Sequence, residues 1–170
     1  MPERPLPFKI SVLVFVRNTG GKLLLIRRNK SPNMGMWSPI GGKLEMSEGE
    51  SPYECAIRET REEIGMELAE SDLRMFSMIS EKSYEGGTHW LMFLFDVKKR
   101  ISELPQNISE GSFGLFDPAE IDSLSIPETD RVLLWGVWKK YAENGFAEMR
   151  AECADGVKAV FEQTDIFKKQ

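Results

Sequence analysis

Residues 41–65 read GGKLEMSEGESPYECAIRETREEIG, and this stretch decides the fold. A glycine pair and a polar loop lead into a segment with strong helix signals. Ser51 suits the N-cap, Pro52 suits the first helical position, and Glu54 completes a capping box with Ser51. Gly65 is placed as a C-terminal stop. The stretch therefore predicts an irregular glycine loop followed by a helix from Pro52 to about Ile64.

The predicted helix carries three glutamates on one face. Glu59, Glu62 and Glu63 stand at i, i+3 and i+4, so their side chains lie close together. Hard divalent cations prefer oxygen ligands, which makes this face a candidate metal cradle. The alternative is a solvated face held by Arg58 pairs with the neighbouring glutamates.

The order of these residues resembles the Nudix box. Gly42, Glu50, the run Arg58-Glu59-x-x-Glu62-Glu63 and Gly65 follow its pattern. Two positions depart from that pattern. Seven residues separate Gly42 from Glu50 where the family has five, and Thr60 replaces an apolar residue, which we expect to loosen packing under the helix.

The resemblance implies a Nudix-like α/β/α sandwich with a mixed β-sheet and an enzyme that uses Mg²⁺ or Mn²⁺. It implies metal-dependent hydrolysis of a nucleoside diphosphate linked to another group. Glu59, Glu62 and Glu63 would be catalytic residues and metal ligands, together with the Gly42 carbonyl. Arg58 would hold a glutamate in place. A catalytically silent Nudix-like module that binds a nucleotide is the alternative.

A further carboxylate from a later loop serves many Nudix enzymes as a ligand or base. Glu110 is the candidate here, because it precedes Gly111 and a predicted strand. A solvated turn glutamate is the alternative interpretation of Glu110. Glu81 and Glu85 are alternative candidates, in the polar segment that precedes His89.

Four residues are candidates for substrate binding. Arg27 and Arg28 end a predicted strand and could meet a phosphate, whereas Trp37 could stack on a base. Tyr84 lies where dinucleoside polyphosphate members often carry a tyrosine. Members that cleave ADP-ribose often carry a proline about sixteen residues after the box, where this chain has Glu81. Nucleoside triphosphates, dinucleoside polyphosphates and nucleotide sugars therefore all remain candidates.

The rest of the chain reads as one layered domain, 1–170, with a core at about 8–145. Apolar β-rich runs predict strands at 10–16, 22–28, 73–80, 89–97 and 112–116. The first two should form a hairpin around the turn at residues 18–21. A helix is predicted at 127–141, and Asp155-Gly156 predicts a C-terminal β-hairpin extension at 146–165.

The composition of the chain excludes several classes of protein. The chain has 170 residues with 22 Lys+Arg against 27 Asp+Glu, a net charge of −5, so it lacks the basic face of a nucleic-acid binder. Two cysteines and one histidine are too few for a usual zinc site or a disulfide framework. No membrane-length apolar run is present, and residues 1–9 lack a signal-peptide core. We expect a cytoplasmic protein with a small-molecule partner, and the hairpin edge could pair two copies as a homodimer.

Overall fold

The computed structural model describes residues 8–84 and 87–168, and most of them build one mixed β-sheet. The predicted N-terminal segment 1–7 and the candidate ligand Glu85 lie outside the described residues. The strands, in chain order, are β1 Phe8–Asn18, β2 Leu23–Arg28, β3 Trp37–Ser38, β4 Ile40–Lys43, β5 Leu73–Tyr84, β6 Thr88–Ile101, β7 Gly111–Phe116, β8 Gly145–Glu152 and β9 Lys158–Ile166.

The sheet has the order β3-β2-β1-β6-β5-β8-β9, with β4 paired to β1 and β7 paired to β2. The β1–β6 and β5–β8 pairs are parallel and the others are antiparallel. The mixed sheet of the predicted α/β class is thereby confirmed. No helix in the described ranges is long and apolar enough to cross a membrane.

Alternating residues of the central strands supply two cores, one on each face of the sheet. Val12 and Val14 of β1 pack on one face, beneath Cys55 and Ala56 of helix α1, Pro52–Ile64. Phe15 packs on the other face, beneath a helical stretch near the C-terminus. The two helical layers enclose the sheet as the α/β/α arrangement predicts.

Helix α1 begins and ends where the sequence places it. The Ser51 hydroxyl accepts a hydrogen bond from the Glu54 N–H, and the Glu54 carboxylate accepts one from the Ser51 N–H. Gly65 closes the helix in the left-handed conformation at φ 68°, which favours glycine. These caps fix the register of the glutamates between them.

The second helical layer is continuous but changes its winding. Helix α2, Glu128–Asp130, leads through a π-helical turn at Arg131–Trp135 into helix α3, Gly136–Tyr141. Leu133, Leu134 and Trp135 of that turn are fully or almost fully buried. The extra residue in the turn lets three consecutive apolar side chains reach the sheet, more than a regular helical stripe would place there.

Two strand predictions need correction. The predicted antiparallel pairing of β1 with β2 is present at Arg17↔Leu23, next to the turn. Beyond that pair the two strands separate, since β4 pairs with β1 and β3 pairs with β2, so the hairpin is shorter than predicted. β5 continues through Glu81 to Tyr84, so the predicted polar connection at 81–88 is largely strand.

The C-terminal hairpin is present and extends the sheet. β8 pairs with β5, and β9 forms the outer edge with all nine residues exposed. The free edge of β9 is where the predicted homodimer would form, and that homodimer stays a prediction.

The buried Thr60 hydroxyl has a hydrogen-bond partner. The side chain is fully buried, and its hydroxyl donates to the Ala56 carbonyl oxygen at 2.7 Å. A buried hydroxyl with a partner avoids the desolvation cost of an unpaired one. The position therefore accommodates threonine where the family pattern has an apolar residue.

Replacing Thr60 should show how little the hydroxyl contributes. Thr60→Val keeps the shape, and the Ala56 carbonyl still accepts the helical N–H, so the free energy of unfolding should change by less than about 1 kcal/mol. Thr60→Ala also removes a methyl group from the core and should cost about 1 kcal/mol more. Urea denaturation measures both. A loss above about 2 kcal/mol in Thr60→Val would contradict this account.

Candidate active site

The glycine end of β4 brings helix α1 against the sheet. A Cβ atom built on Gly42 would lie 2.1 Å from Glu59 Oε1, so the Glu59 carboxylate occupies the space that a side chain would take. Gly41 is equally constrained, because a Cβ there would lie 2.1 Å from the Val12 carbonyl oxygen of β1. The pair of glycines thus allows both the strand pairing and the close approach of Glu59.

Arg58 organises the carboxylates around it. Its guanidinium donates two hydrogen bonds to Glu50, from Nε to Oε1 at 2.7 Å and from Nη2 to Oε2 at 3.0 Å. Nη1 donates to Glu59 Oε1 at 2.9 Å and to Glu62 Oε2 at 3.2 Å. The Glu50 carboxylate also accepts from the Glu45 N–H, which ties the longer box loop to the helix. Arg58 therefore positions the site and holds Glu50 as a buttress.

Charge is distributed unevenly among these glutamates. Hydrogen bonding from Arg58 lowers the pKa of Glu50. Burial raises the pKa of Glu59 in spite of its bond to Arg58. Burial, followed by the charge of Glu59, raises the pKa of Glu63 to about 8. Glu63 forms no ion pair with Arg58, unlike Glu50, Glu59 and Glu62.

Glu63 also has an unused oxygen. Its Oε2 is buried and has no hydrogen-bond partner among the described residues. A buried carboxylate oxygen without a partner is costly unless a ligand supplies one. Among those residues no three His, Cys, Asp or Glu side chains converge as a ready ligand set. Glu63 and Glu59, beside the glycine pair, nevertheless have the oxygen donors that a hard divalent cation takes.

The carboxylates of Glu59 and Glu63 open onto a cleft of about 580 Å³. Arg28, the last residue of β2, and Lys30 line one part of the cleft, and Tyr84 of β5 and Trp90 of β6 line another. Arg28 lies close enough to Glu63 to counter part of the rise in its pKa. A cleft of this size accommodates a small ligand, with cationic side chains next to the carboxylates.

Most of the site residues predicted from the sequence line the cleft. They are Glu59, Glu63, Gly42, Glu110, Arg28 and Tyr84. Glu62 does not line the cleft. Its side chain is 54% exposed and is turned to Arg58.

Two substrate-binding predictions fall outside the cleft. Trp37 packs edge-on against Phe116, with ring centroids 4.7 Å apart, and so belongs to the core that supports β2. The Arg27 side chain is directed to another loop, where its Nε donates to the Gly35 carbonyl at 3.1 Å. Alternation along β2 explains the difference between Arg27 and its neighbour, since adjacent residues face opposite sides of a strand.

Glu110 reaches the cleft from the loop before β7. It is exposed, it accepts a hydrogen bond from the Ser109 hydroxyl at 2.8 Å, and this bond lowers its pKa. Its charge contributes to the raised pKa of Glu63, so the two carboxylates share one electrostatic environment. The loop is fixed by the Asn29 N–H, which donates to the Glu110 carbonyl oxygen.

The comparisons agree with this geometry. The model of the NUDIX domain matches residues 7–140. The chain belongs to the Nudix family. It is 30% identical over 120 residues to the Nudix hydrolase YvcI of Bacillus subtilis, itself uncharacterised, which covers 70% of this chain and 73% of YvcI. It is 38% identical over 71 residues to the m7GpppN-mRNA hydrolase NUDT17 of Xenopus laevis, 41% of this chain and 23% of that protein.

Solved structures share the Nudix fold at low sequence identity. The MutT protein of Bacillus halodurans superposes with a TM-score of 0.70 at 19% identity, over 91% of this chain and 97% of its own. The NUDIX domain of Shewanella oneidensis NrtR, solved with ADP-ribose, has a TM-score of 0.62 at 15% identity, over 82% and 92%. With the family match, these relatives identify the chain as a Nudix-type hydrolase that acts on nucleoside diphosphate derivatives.

The Nudix cleft also contains two carboxyl groups that the sequence did not mark as a pair. Glu81 of β5 is only 4% exposed, and Asp130 ends helix α2. Burial raises the pKa of Glu81 to about 7. Burial and then the charge of Glu81 raise the pKa of Asp130 to about 7. Both line the same cleft as Glu59 and Glu63.

Glu81 should make stability fall as the pH rises. Its pKa is about 7 in the folded protein against 4.5 ordinarily, so between these values the folded state binds more protons than the unfolded state. The contribution of Glu81 to the free energy of unfolding is fully present below about pH 4.5. It is lost as the pH rises through 7, a decrease of about 3 kcal/mol. Glu81→Gln should remove this loss and exceed the wild type in stability at pH 8.

Urea denaturation from pH 5 to 8 measures this effect. Glu128→Gln is the matched control, because Glu128 is exposed on the same helix as Asp130 and pairs with Arg131. It should follow the wild-type profile. A Glu81→Gln variant with the wild-type slope would show that Glu81 is ionised in the folded protein.

Proposed function

We propose that this chain hydrolyses a phosphoanhydride bond of a nucleoside diphosphate linked to another group, and that the reaction requires Mg²⁺ or Mn²⁺. The observation that supports the metal is the buried, unpartnered Oε2 of Glu63 beside Glu59. Glu59, Glu63 and the Gly42 carbonyl would hold the cation, with Glu62 and Glu110 as additional donors at the edge of the cleft. A bound cation of this kind neutralises phosphate oxygens and lowers the pKa of water.

The chain's own residues have separate roles in this proposal. Arg58 keeps Glu59 in place and does not meet the substrate, because its five hydrogen bonds to oxygen already engage Glu50, Glu59, Glu62 and the Lys43 carbonyl. Arg28 and Lys30 would attract the phosphates to the carboxylate side of the cleft. Tyr84, whose hydroxyl donates to Asn33 Oδ1 at 3.2 Å, would border the rest of the substrate.

The substrate is proposed here as a chemical class and not as a single compound. The NrtR domain was solved with ADP-ribose, and NUDT17 is an m7GpppN-mRNA hydrolase; we infer that this chain takes a related nucleotide derivative. Nucleoside triphosphates, dinucleoside polyphosphates and nucleotide sugars all contain the required diphosphate. We also propose that the enzyme works in the cytoplasm, as its cysteine usage suggests.

A substrate panel tests this proposal directly. The three substrate groups are incubated with Mg²⁺ or Mn²⁺, and product nucleotides are separated by chromatography. At least one group should be cleaved, and excess EDTA should abolish the cleavage because the carboxylates alone do not neutralise the phosphates. Full activity in EDTA would refute the metal. Tight nucleotide binding without cleavage would favour the silent module.

Glu63→Gln tests the residue on which the metal proposal depends. The substitution keeps the side-chain shape but removes the ligand charge, so kcat should fall about 100-fold or more. Stability should stay the same or rise, because the repulsion between Glu63 and Glu59 disappears. Glu67→Gln, an exposed charge removal just beyond the helix, is the matched control and should retain full turnover. Turnover of Glu63→Gln within about threefold of the wild type would show that Glu63 is not a ligand.

A further inference from the structure

The single histidine of the chain supports the backbone near the end of β5. Its Nδ1 accepts a hydrogen bond from the Ser83 N–H at 3.0 Å. An acceptor Nδ1 carries no proton, so this bond requires a neutral His89 imidazole with its proton on Nε2. The Phe8 ring packs against the imidazole, with ring centroids 5.4 Å apart, and restricts its orientation.

Ser83 lies in a β-bulge with a backbone conformation that is uncommon for a residue other than glycine. Glu81 pairs with Trp90 and Tyr84 pairs with Thr88, so two residues of β5 lie opposite His89 alone. The φ of Ser83 is 59°, in the left-handed region. The extra residue of a bulge is not paired in the regular ladder. The His89 imidazole therefore provides the Ser83 N–H with an acceptor.

This bulge determines which way Tyr84 faces. Glu81 and Tyr84 both line the cleft, although residues three apart face opposite sides of a regular strand. The extra residue between them brings Tyr84 back to the side of Glu81. The Tyr84 hydroxyl there donates to Asn33 Oδ1 at 3.2 Å.

The Tyr84–Asn33 hydrogen bond joins β5 to the loop between β2 and β3. This loop carries Lys30, which lines the cleft. Arg28 also holds the loop, because its Nε donates to the Pro32 carbonyl oxygen at 2.8 Å. Two parts of the cleft wall that are 51 residues apart in the chain thus meet at the Tyr84–Asn33 contact. Loss of this contact would remove a tie between β5 and the loop that carries Lys30.

We propose that His89 is a positioning residue for the substrate cleft. Through the Ser83 N–H it holds the bulge in the form that directs Tyr84 to Asn33, and it thereby fixes the loop that carries Lys30. The imidazole lines a separate depression and acts on the cleft only through the backbone of β5. The consequence for substrate binding rests on the proposed function, since it assumes that the cleft takes a nucleotide.

Protonation of His89 should have the same effect as removal of its acceptor. A proton on Nδ1 turns this atom from an acceptor into a donor, which excludes the bond from the Ser83 N–H. β1 contributes the apolar Phe8 ring to the surroundings of the imidazole. The charged residues that line the depression with His89 are Glu81 and Lys82 of β5, Arg150 and Glu152 of β8, and Lys158 of β9.

Fluorine NMR of the chain labelled with 3-fluorotyrosine tests this positioning without any ligand. The chain has three tyrosines, so Tyr84→Phe identifies the Tyr84 resonance, and Asn33→Ala shows where that resonance lies without the Asn33 contact. His89→Phe keeps a ring against Phe8 but has no acceptor, and it should move the resonance most of the way to the Asn33→Ala position. Lys158→Gln, a charge removal in the same depression, is the control and should leave the resonance unchanged.

His89→Asn is the conservative variant that should restore the wild-type resonance. The asparagine Oδ1 is bonded to Cγ, as Nδ1 of histidine is, and can accept from the Ser83 N–H. Thermal melting verifies that each variant is folded. A Tyr84 resonance that His89→Phe leaves unchanged would overturn the proposal. An equal displacement in His89→Asn and His89→Phe would also overturn it, because the acceptor would then be irrelevant.

A pH titration of the wild-type chain repeats the test without relying on the folding of a variant. Imidazole side chains ordinarily change charge between about pH 5 and 8, so the Tyr84 resonance should move toward the Asn33→Ala position as the pH falls through this range. Glu63 and Glu81 also titrate in the cleft, with pKa values of about 8 and about 7. His89→Asn retains their contribution and lacks that of the imidazole. Identical titrations of the wild type and His89→Asn would contradict the role of His89.

Kinetics test the consequence for the substrate. With a nucleotide that the substrate panel shows to be cleaved, His89→Phe should raise KM about threefold or more and leave kcat within about threefold, as expected when binding is lost equally in the ground and transition states. His89→Asn should return KM toward the wild-type value. A change confined to kcat would refute positioning of the bound substrate. Absence of hydrolysis would refute the proposed function and leave the fluorine measurements intact, so the two proposals fail separately.

Discussion

The site depends on the Glu59 carboxylate occupying the space that a side chain at position 42 would take. A Cβ atom at position 42 would overlap the Glu59 carboxylate, so glycine there leaves room for this carboxylate beside the end of β4. The preceding glycine has the same constraint for a different reason, since its Cα faces the β1 backbone at a φ of 154°. One glycine therefore permits the strand pairing, because a Cβ at position 41 would overlap the β1 backbone. The other permits the approach of the carboxylate, because a Cβ at position 42 would displace the Glu59 side chain.

Crowding four glutamates onto the start and one face of a helix creates an electrostatic problem that Arg58 solves only in part. Glu50, Glu59 and Glu62 all contact its guanidinium, but Glu63 does not. The consequence is a graded set, from Glu50 with a lowered pKa to Glu63 with a pKa of about 8. Ionisation is thus most unfavourable at Glu63, which is the carboxyl that a divalent cation would stabilise most in its charged form.

The features that depend on neighbouring residues were predicted correctly from the sequence. The Ser51 cap, Pro52 and the Gly65 stop are set by neighbours within four residues, so the helix and the positions of its glutamates could be predicted from sequence. Strand partners depend on distant segments, which is why β1 and β2 were predicted as a full hairpin. Alternation also failed in β5, where an irregularity between Met75 and Ser77 shifts the side chains that follow to the other face.

The β5 irregularity accounts for the burial of Glu81. Phe76 and Ile79 pack in the same core, although an unbroken strand would place residues three apart on opposite faces. Glu81 follows Ile79 by two residues and so is buried on that face, near helix α2. The cleft that Glu81 shares with Glu59 and Glu63 is also lined by four basic residues, Lys9, Arg28, Lys30 and Lys43. A chain with a net negative charge can therefore attract a polyanionic ligand to this cleft, because the local balance of charge there differs from that of the whole chain.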